Sequence, residues 1–161
     1  MFGPVTSDVK TLAICSSVLY VKFLATTMIQ GRKGFHAGSR CPEDSKILCG
    51  NGTPKQELVG ATSAVPAHLK AAYEDEQRWK RIVQNDLESI PMAFVVFISS
   101  MAAGGSAHVN STLMMTYTAA RIAHTITYAY QMQPHRMYVW MAGIVCIIGA
   151  GINGIMGAMN A

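Results

Sequence analysis

Charge is the scarcest feature of this sequence. Only 14% of its 161 residues are charged and half are hydrophobic, whereas about a quarter of the residues of an average soluble domain are charged. The composition therefore indicates a membrane protein, and the length indicates one domain. The net charge is +4, but the basic residues are spread along one long loop and form no dense basic helix, which argues against nucleic-acid binding.

The sequence also lacks metal-binding and redox motifs. Its four cysteines, at positions 15, 41, 49 and 146, form no CxxC pair and no zinc spacing, so we expect free thiols. His124 has no second metal ligand at a suitable helical spacing, and we predict no metal site. An inverted repeat and paired broken helices are absent too, which disfavours a small transporter.

Four segments have the length of membrane helices. The pattern predicts them over residues 9–30, 76–103, 109–130 and 137–159, to within a few positions. Glycines and prolines argue against long helices in the polar loop over about 31–75. Lys22 lies near the far end of helix one, where its side chain is expected to snorkel to the interface. Gly154 and its small neighbours at four-residue spacing predict that helix four approaches another helix closely. We therefore predict an all-α fold, an integral membrane four-helix bundle.

Lysine and arginine are distributed unevenly between the connections. Nine of the thirteen lie within residues 31–81, none lies in the turn after helix two, and Arg136 lies in the turn after helix three. The positive-inside rule then places the first and third connections in the cytosol. Two glycosylation sequons begin at Asn51 and Asn110; the first is then cytosolic and the second lies hard against the membrane, and we expect neither to be modified.

Polar side chains accumulate at the cytosolic ends of helices two and three. They recur every three or four residues and therefore share a face on each helix; they are Arg78, Arg81, Gln84, Asn85 and Glu88, and then Arg121, His124 and Tyr128. Arg136 follows on the same side of the membrane. This set suits a small zwitterion, because arginines clamp carboxylates and Glu88 receives an ammonium group. The alternative is that Glu88, as a buried carboxylate, only neutralises Arg121 between two helices.

The segments that carry these residues resemble the family of membrane-associated proteins in eicosanoid and glutathione metabolism (MAPEG). They are Arg78-Trp-Lys-Arg-Ile-Val-Gln-Asn-Asp-Leu-Glu-Ser-Ile-Pro, Ala120-Arg-Ile-Ala-His-Thr-Ile-Thr-Tyr and Gln133-Pro-His-Arg. The chain is most similar to the microsomal glutathione transferase branch and next to microsomal prostaglandin E synthase. The resemblance implies a homotrimer in the endoplasmic reticulum membrane, with glutathione bound between neighbouring subunits near the cytosolic face.

The resemblance also implies roles for individual residues. Arg136 resembles the residue that stabilises the glutathione thiolate, and a guanidinium in contact lowers a thiol pKa from about 8.5 towards neutrality. Residues that match or lie near glutathione-binding positions are Arg32, Arg81, Gln84, Asn85, Glu88, Arg121, His124 and Tyr128. Gln84 stands where the prostaglandin synthase has arginine, Met137 stands where it has serine, and Trp140 stands near a tyrosine position.

The implied function is a membrane-bound glutathione transferase. Its partners would be glutathione, a lipophilic electrophile and membrane lipid. A second reaction would be the glutathione-dependent reduction of lipid hydroperoxides. The alternatives are a prostaglandin-E-synthase-like isomerase and a non-catalytic lipid-binding scaffold of the same family. The insert around residues 50–67 is either a solvated excursion of the loop or a substrate gate.

Overall fold

The protein is helical throughout the described part of the chain. The structure is a computed structural model that describes residues 6–48, 53–61 and 64–160. Its α-helices are α1 (Ser7–Ala37), α2 (Ser45–Leu48), α3 (Lys70–Ala102), α4 (Ala107–Ala129) and α5 (His135–Met159), and its 3-10 helices are Pro42–Asp44 and Ala67–Leu69. No strand occurs among these residues, and the prediction of an all-α fold is confirmed. The four predicted helices correspond to α1, α3, α4 and α5.

Three helical segments of the described chain are long and apolar enough to cross a membrane. They are Ser7–Ala37, Ala67–Ala102 and His135–Met159, and the chain is accordingly a membrane protein. Helix α4 has 23 residues, about 35 Å at the rise of an α-helix, but its many polar side chains keep its hydropathy lower. That α4 also crosses the bilayer stays a prediction.

The chain divides into two compact units. The first contains Met1–Phe23 and Asn85–Ala161, and the second contains Leu24–Gln84. Both α1 and α3 are continuous helices that contribute residues to each unit. The first unit therefore holds most of the apolar helix length, and the second holds the polar loop with the helix ends that adjoin it.

Helices α1 and α3 extend further into the polar loop than the sequence predicts. Instead of ending near residue 30, α1 continues to Ala37, about two further turns, and α3 begins at Lys70. The helix ends therefore differ from those predicted, whereas the described part of residues 38–69 contains only short helices, as the glycines and prolines predict. Gly34 is buried inside α1, and a β-carbon there would meet the side chains of Arg40 and Glu76 at 3.2 and 3.3 Å. Glycine makes room for this packing within the second unit, and the packing stabilises the helix.

The loop of the second unit is organised around Gln56. Its side chain is buried, its amide nitrogen donates to the carbonyls of Phe35 (3.0 Å) and Pro54 (2.8 Å), and its oxygen accepts the Arg40 N–H at 3.3 Å. These bonds hold the loop against the end of α1. Asn51 and part of the predicted insert lie outside the described residues, so the role of the insert stays a prediction.

The core of the first unit lies between α1, α3, α4 and α5. It consists of small and large apolar side chains: Cys15, Leu19, Ala93, Phe97, Met114, Tyr117, Cys146 and Ala150. The ring of Tyr117 meets Phe97 edge-on with 6.0 Å between centroids, and its hydroxyl lies 2.8 Å from Ser89 Oγ. The three cysteines within the described ranges, Cys15, Cys41 and Cys146, are free thiols as predicted; Cys49 lies outside those ranges.

A polar network joins α3, α4 and α5 at the end of the bundle remote from Arg136. Asn153 Nδ2 donates to Asn110 Oδ1 (3.0 Å) and to the Ser106 carbonyl (3.2 Å), while Asn153 Oδ1 accepts the Ser106 N–H at 3.1 Å. Ser100 Oγ donates to Asn110 Oδ1 at 2.9 Å. The predicted close approach of α5 is confirmed, because a β-carbon on Gly154 would lie 2.8 Å from Ser100 Cα. Asn110, the first residue of the second sequon, is fully buried, and that it is not glycosylated stays a prediction.

Truncating Asn153 to alanine should destabilise the first unit by about 1–3 kcal/mol, because three hydrogen bonds are lost and the Ser106 N–H is left without its partner. Unfolding in detergent micelles, followed by circular dichroism against temperature or added sodium dodecyl sulfate, measures the change. Ser99→Ala removes an exposed hydroxyl beside Ser100 and serves as the control. Equal stability of the two variants would contradict the prediction.

Candidate functional site

A buried ionic cluster lies in the first unit where α1, α3 and α4 meet. The Asp86 carboxylate is fully buried; it accepts from Arg121 Nη2 at 2.5 Å and pairs through its other oxygen with the Lys22 ammonium. The side chain of Lys22 is only 10% exposed. It therefore does not snorkel as predicted, since the Asp86 charge holds it inside the bundle. The three charges fix the relative positions of three helices.

Asp86 is the residue that sequence reasoning missed. The sequence favours Glu88 as the buried carboxylate, but Glu88 is exposed in the single chain, and Asp86 is the acid that contacts Arg121. A usable signal was present, because Asp86, Ala93 and Ser100 recur every seven residues and all three are buried. Residues seven apart share a helix face, so the core side of α3 was readable from its small residues.

An open pocket of about 370 Å³ lies in the first unit, next to the ionic cluster. Its lining comes from α3, from α4, and from the start of α5 with the preceding turn: Asn85, His124, Tyr128, Gln133, Arg136, Met137 and Trp140. The structure thus brings together four of the predicted site residues, Asn85, His124, Tyr128 and Arg136. Gln133, Met137 and Trp140 were not predicted as site residues. The sequence indicated these three residues only through their position, since each lies within four residues of Arg136.

Stacked side chains set the geometry of the pocket. The Arg136 guanidinium carbon lies 4.3 Å from the centre of the Tyr128 ring, a cation–π contact. The His124 ring meets the same tyrosine edge-on, with 5.7 Å between centroids and 73° between ring planes. Tyr128 therefore lies between the imidazole and the guanidinium, and it restricts the directions in which Arg136 points.

Several buried polar atoms on α4 have no hydrogen-bond partner within the described residues. Two of them, Nδ1 of His124 and Nε of Arg121, belong to predicted site residues. The two residues lie one turn apart on α4 and are only 3% and 2% exposed. A buried polar atom without a partner costs about 1–3 kcal/mol, so a polar ligand that reached either atom would bind favourably. The amides of Asn85 and Gln133 and the guanidinium of Arg136 also offer donors to the pocket, and such donors suit a small ligand with carboxylate and amide oxygens.

The remaining predicted residues lie elsewhere. Arg81 and Gln84 belong to the second unit, where they line a pocket of about 480 Å³ with Gln30, Lys80 and Val83. Arg32 is exposed on the part of α1 that belongs to the same unit. Their roles as glutathione ligands stay predictions. No group of three His, Cys, Asp or Glu side chains that could hold a metal ion occurs within the described ranges.

The model of the MAPEG family matches residues 11–156. The chain belongs to the MAPEG family. The match includes the whole ionic cluster and the whole pocket, and the resemblance inferred from sequence motifs is confirmed at the level of the family. No curated protein sequence matches the chain significantly.

Membership of the MAPEG family makes this chain a membrane protein of glutathione or eicosanoid metabolism. The MAPEG match does not distinguish the transferase branch from the prostaglandin synthase branch. That distinction depends on what the pocket can do chemically.

Proposed function

We propose that the chain is a membrane-bound glutathione transferase that conjugates the glutathione thiolate to lipophilic electrophiles. The observation that carries the proposal is the convergence of Arg136, Tyr128 and His124 on one open pocket of a membrane protein. A fixed cation, a phenol and an imidazole beside a buried charged cluster match the chemistry of a tripeptide thiol with two carboxylates. Family membership makes glutathione the natural candidate for that thiol.

Arg136 is the residue that we expect to act on sulfur. Its guanidinium, a planar cation, is held over the Tyr128 ring. A thiol in contact with it loses its proton to water more readily, because the guanidinium favours the charged form. The thiolate, unlike the thiol, is a strong nucleophile. Arg136 therefore supplies the nucleophile without itself exchanging a proton.

The reaction then needs no further group from the protein. The thiolate sulfur donates an electron pair to an electrophilic carbon, a carbon–sulfur bond forms, and the leaving group departs with the pair of electrons that bound it. With a lipid hydroperoxide, two glutathione molecules are oxidised to the disulfide while the hydroperoxide is reduced to an alcohol and water. The electrophile and the lipid hydroperoxide, which are of low polarity, would both come from the bilayer.

We expect the site to be completed in a homotrimer. Glu88 lies in the membrane-spanning part of α3 and is exposed in the single chain, beside Met92 and Val95, which are 60% and 58% exposed. An ionisable side chain at such a depth normally faces protein or a water-filled cavity. A neighbouring subunit over this face of α3 would provide both, and it would bring Glu88 to a bound glutathione.

The variant Glu88→Gln should weaken glutathione binding by about tenfold to a hundredfold, because a charge-assisted hydrogen bond to the ligand's ammonium is lost. Isothermal titration calorimetry on detergent-solubilised protein measures the dissociation constant. Desamino-glutathione, which lacks the ammonium group, serves as the control ligand and should bind both proteins equally. An unchanged affinity for glutathione itself would assign Glu88 to subunit packing alone.

Turnover of chlorodinitrobenzene with glutathione by the purified protein tests the proposal directly. No turnover, with lipid binding retained, would favour the non-catalytic scaffold, and isomerisation of a prostaglandin endoperoxide would favour the synthase branch. Met137, which stands where that synthase has serine, supports the transferase. The family suggests the endoplasmic reticulum membrane as the protein's location. The lysine and arginine distribution predicts that the site faces the cytosol.

A further inference from the structure

The pocket of the first unit has two chemically different sides. Asn85, His124, Gln133 and Arg136 provide polar groups, whereas Met137 and Trp140 on α5 provide an apolar wall. Trp140 follows Arg136 by four residues, about 6 Å along the helix axis, and the two share a face of α5. A ligand whose reacting atom meets a sulfur held at Arg136 therefore extends along the indole of Trp140.

The indole of Trp140 is the aromatic surface that remains for a ligand. Tyr128 is already engaged by the Arg136 guanidinium and by the edge of His124. Within the described residues, Trp140 makes no ring stacking or cation–π contact, and 42% of its surface is exposed. Flat ring systems stack on an indole face with a gain beyond that of buried area. Saturated or branched molecules of equal volume do not receive that gain.

We propose that Trp140, with Met137 beside it, determines the electrophile specificity of the site and selects flat, conjugated electrophiles over saturated ones. The inference rests on the proposed transferase function, because it concerns the second substrate of the same site. The thioether of Met137 packs favourably at ring edges, so the wall accepts a ring that lies on the indole. Arg136 remains responsible for the thiolate, and Trp140 positions the carbon that the thiolate attacks.

Binding is tested without any reaction. The chain has two tryptophans, so Trp79→Phe leaves Trp140 as the sole source of tryptophan emission. Meta-dinitrobenzene has no leaving group, is not consumed, and quenches tryptophan on contact. We expect saturable quenching that nitrocyclohexane, a saturated analogue, does not prevent. Quenching that rises only linearly, as for random collision in the bilayer, would overturn the proposal.

Kinetic measurements then distinguish a site that needs a flat aromatic side chain at position 140 from one that needs only a hydrophobic side chain there. We expect Trp140→Leu to lower kcat/KM for chlorodinitrobenzene by about tenfold, the size of one aromatic contact, and Trp140→Phe to stay within about threefold of the parent. The thiolate absorbance of bound glutathione should be unchanged in both variants. Tyr138→Ala is the matched control, because Tyr138 is an exposed aromatic residue of the same helical turn that does not line the pocket.

The outcomes distinguish this inference from the proposed function. Equal kinetic losses for Trp140→Leu and Trp140→Phe, or a loss of the thiolate signal in either, would overturn the role of Trp140 while leaving the transferase intact. Absence of turnover in the parent protein, together with saturable quenching by meta-dinitrobenzene, would overturn the transferase function and retain a site for flat ligands.

Discussion

Replacing Arg136 by alanine is expected to abolish the thiolate absorbance that appears when glutathione binds, and to lower kcat/KM near neutral pH by a factor of about 30. In the structure this guanidinium is fixed over the Tyr128 ring at the mouth of the pocket. Without it the bound thiol returns to a pKa of about 8.5, and only a few per cent is ionised at neutral pH. Ultraviolet difference absorbance and steady-state kinetics on the same sample measure both effects.

The pH profile gives the sharper test of Arg136. The parent rate should level off near neutral pH, since a lowered thiol pKa means that the thiolate is already formed there. The variant rate should keep rising to about pH 8.5. Arg136→Lys, which keeps the charge but not the planar group that stacks on Tyr128, should fall between the two. A variant that retains the thiolate signal would show that another group activates sulfur.

Replacing Asp86 by asparagine is expected to destabilise the protein by about 3–5 kcal/mol, the largest effect on stability that the structure predicts. Asp86 is the carboxylate between Lys22 and Arg121, and it is fully buried. Removing its charge leaves two buried cations facing each other, and a buried charge without its partner is far more costly than a buried pair. Unfolding in detergent micelles by sodium dodecyl sulfate measures the loss.

Two further variants control for the chemistry of the change. Glu74→Gln makes the same acid-to-amide replacement on the same helix at an exposed position, and should alter stability by less than about 0.5 kcal/mol. Adding Lys22→Met to Asp86→Asn removes one of the unpaired cations and should restore part of the loss. If Asp86→Asn were as stable as the parent, the ionic cluster would carry no net stabilisation.

The existence of the helices followed from the sequence, but their ends did not. Length and apolar content are local properties, and they predict α1 and α5 well. The end of α1 depends on Gly34, whose missing side chain admits Arg40 and Glu76. Glu76 lies far from Gly34 in the chain, so this contact cannot be predicted from the glycine content of the segment around Gly34.

The candidate site was also predictable only in part, because some of its contacts are local and others depend on the packing of distant helices. His124 and Tyr128 are four residues apart on α4 and therefore share a face. Arg136 lies at the start of α5, just after the turn that follows α4, so their meeting in one pocket was expected. The buried member of the Asp86 and Glu88 pair depends on how α3 is rotated against α1 and α4. The sequence indicates that rotation only through the seven-residue spacing of Asp86, Ala93 and Ser100, which is a weaker signal than the polar pattern that favours Glu88.

The Lys22–Asp86–Arg121 cluster also constrains how the protein is made. Lys22 emerges from the ribosome first, its acidic partner follows 64 residues later, and Arg121 comes a further 35 residues after that. Each of these side chains costs about 2.5–3.5 kcal/mol at the centre of a helix inserted alone. Lys22 in the first helix is neutralised only when α3 brings Asp86 beside it. The full stability of α1 in the bundle therefore depends on residues that are synthesised much later.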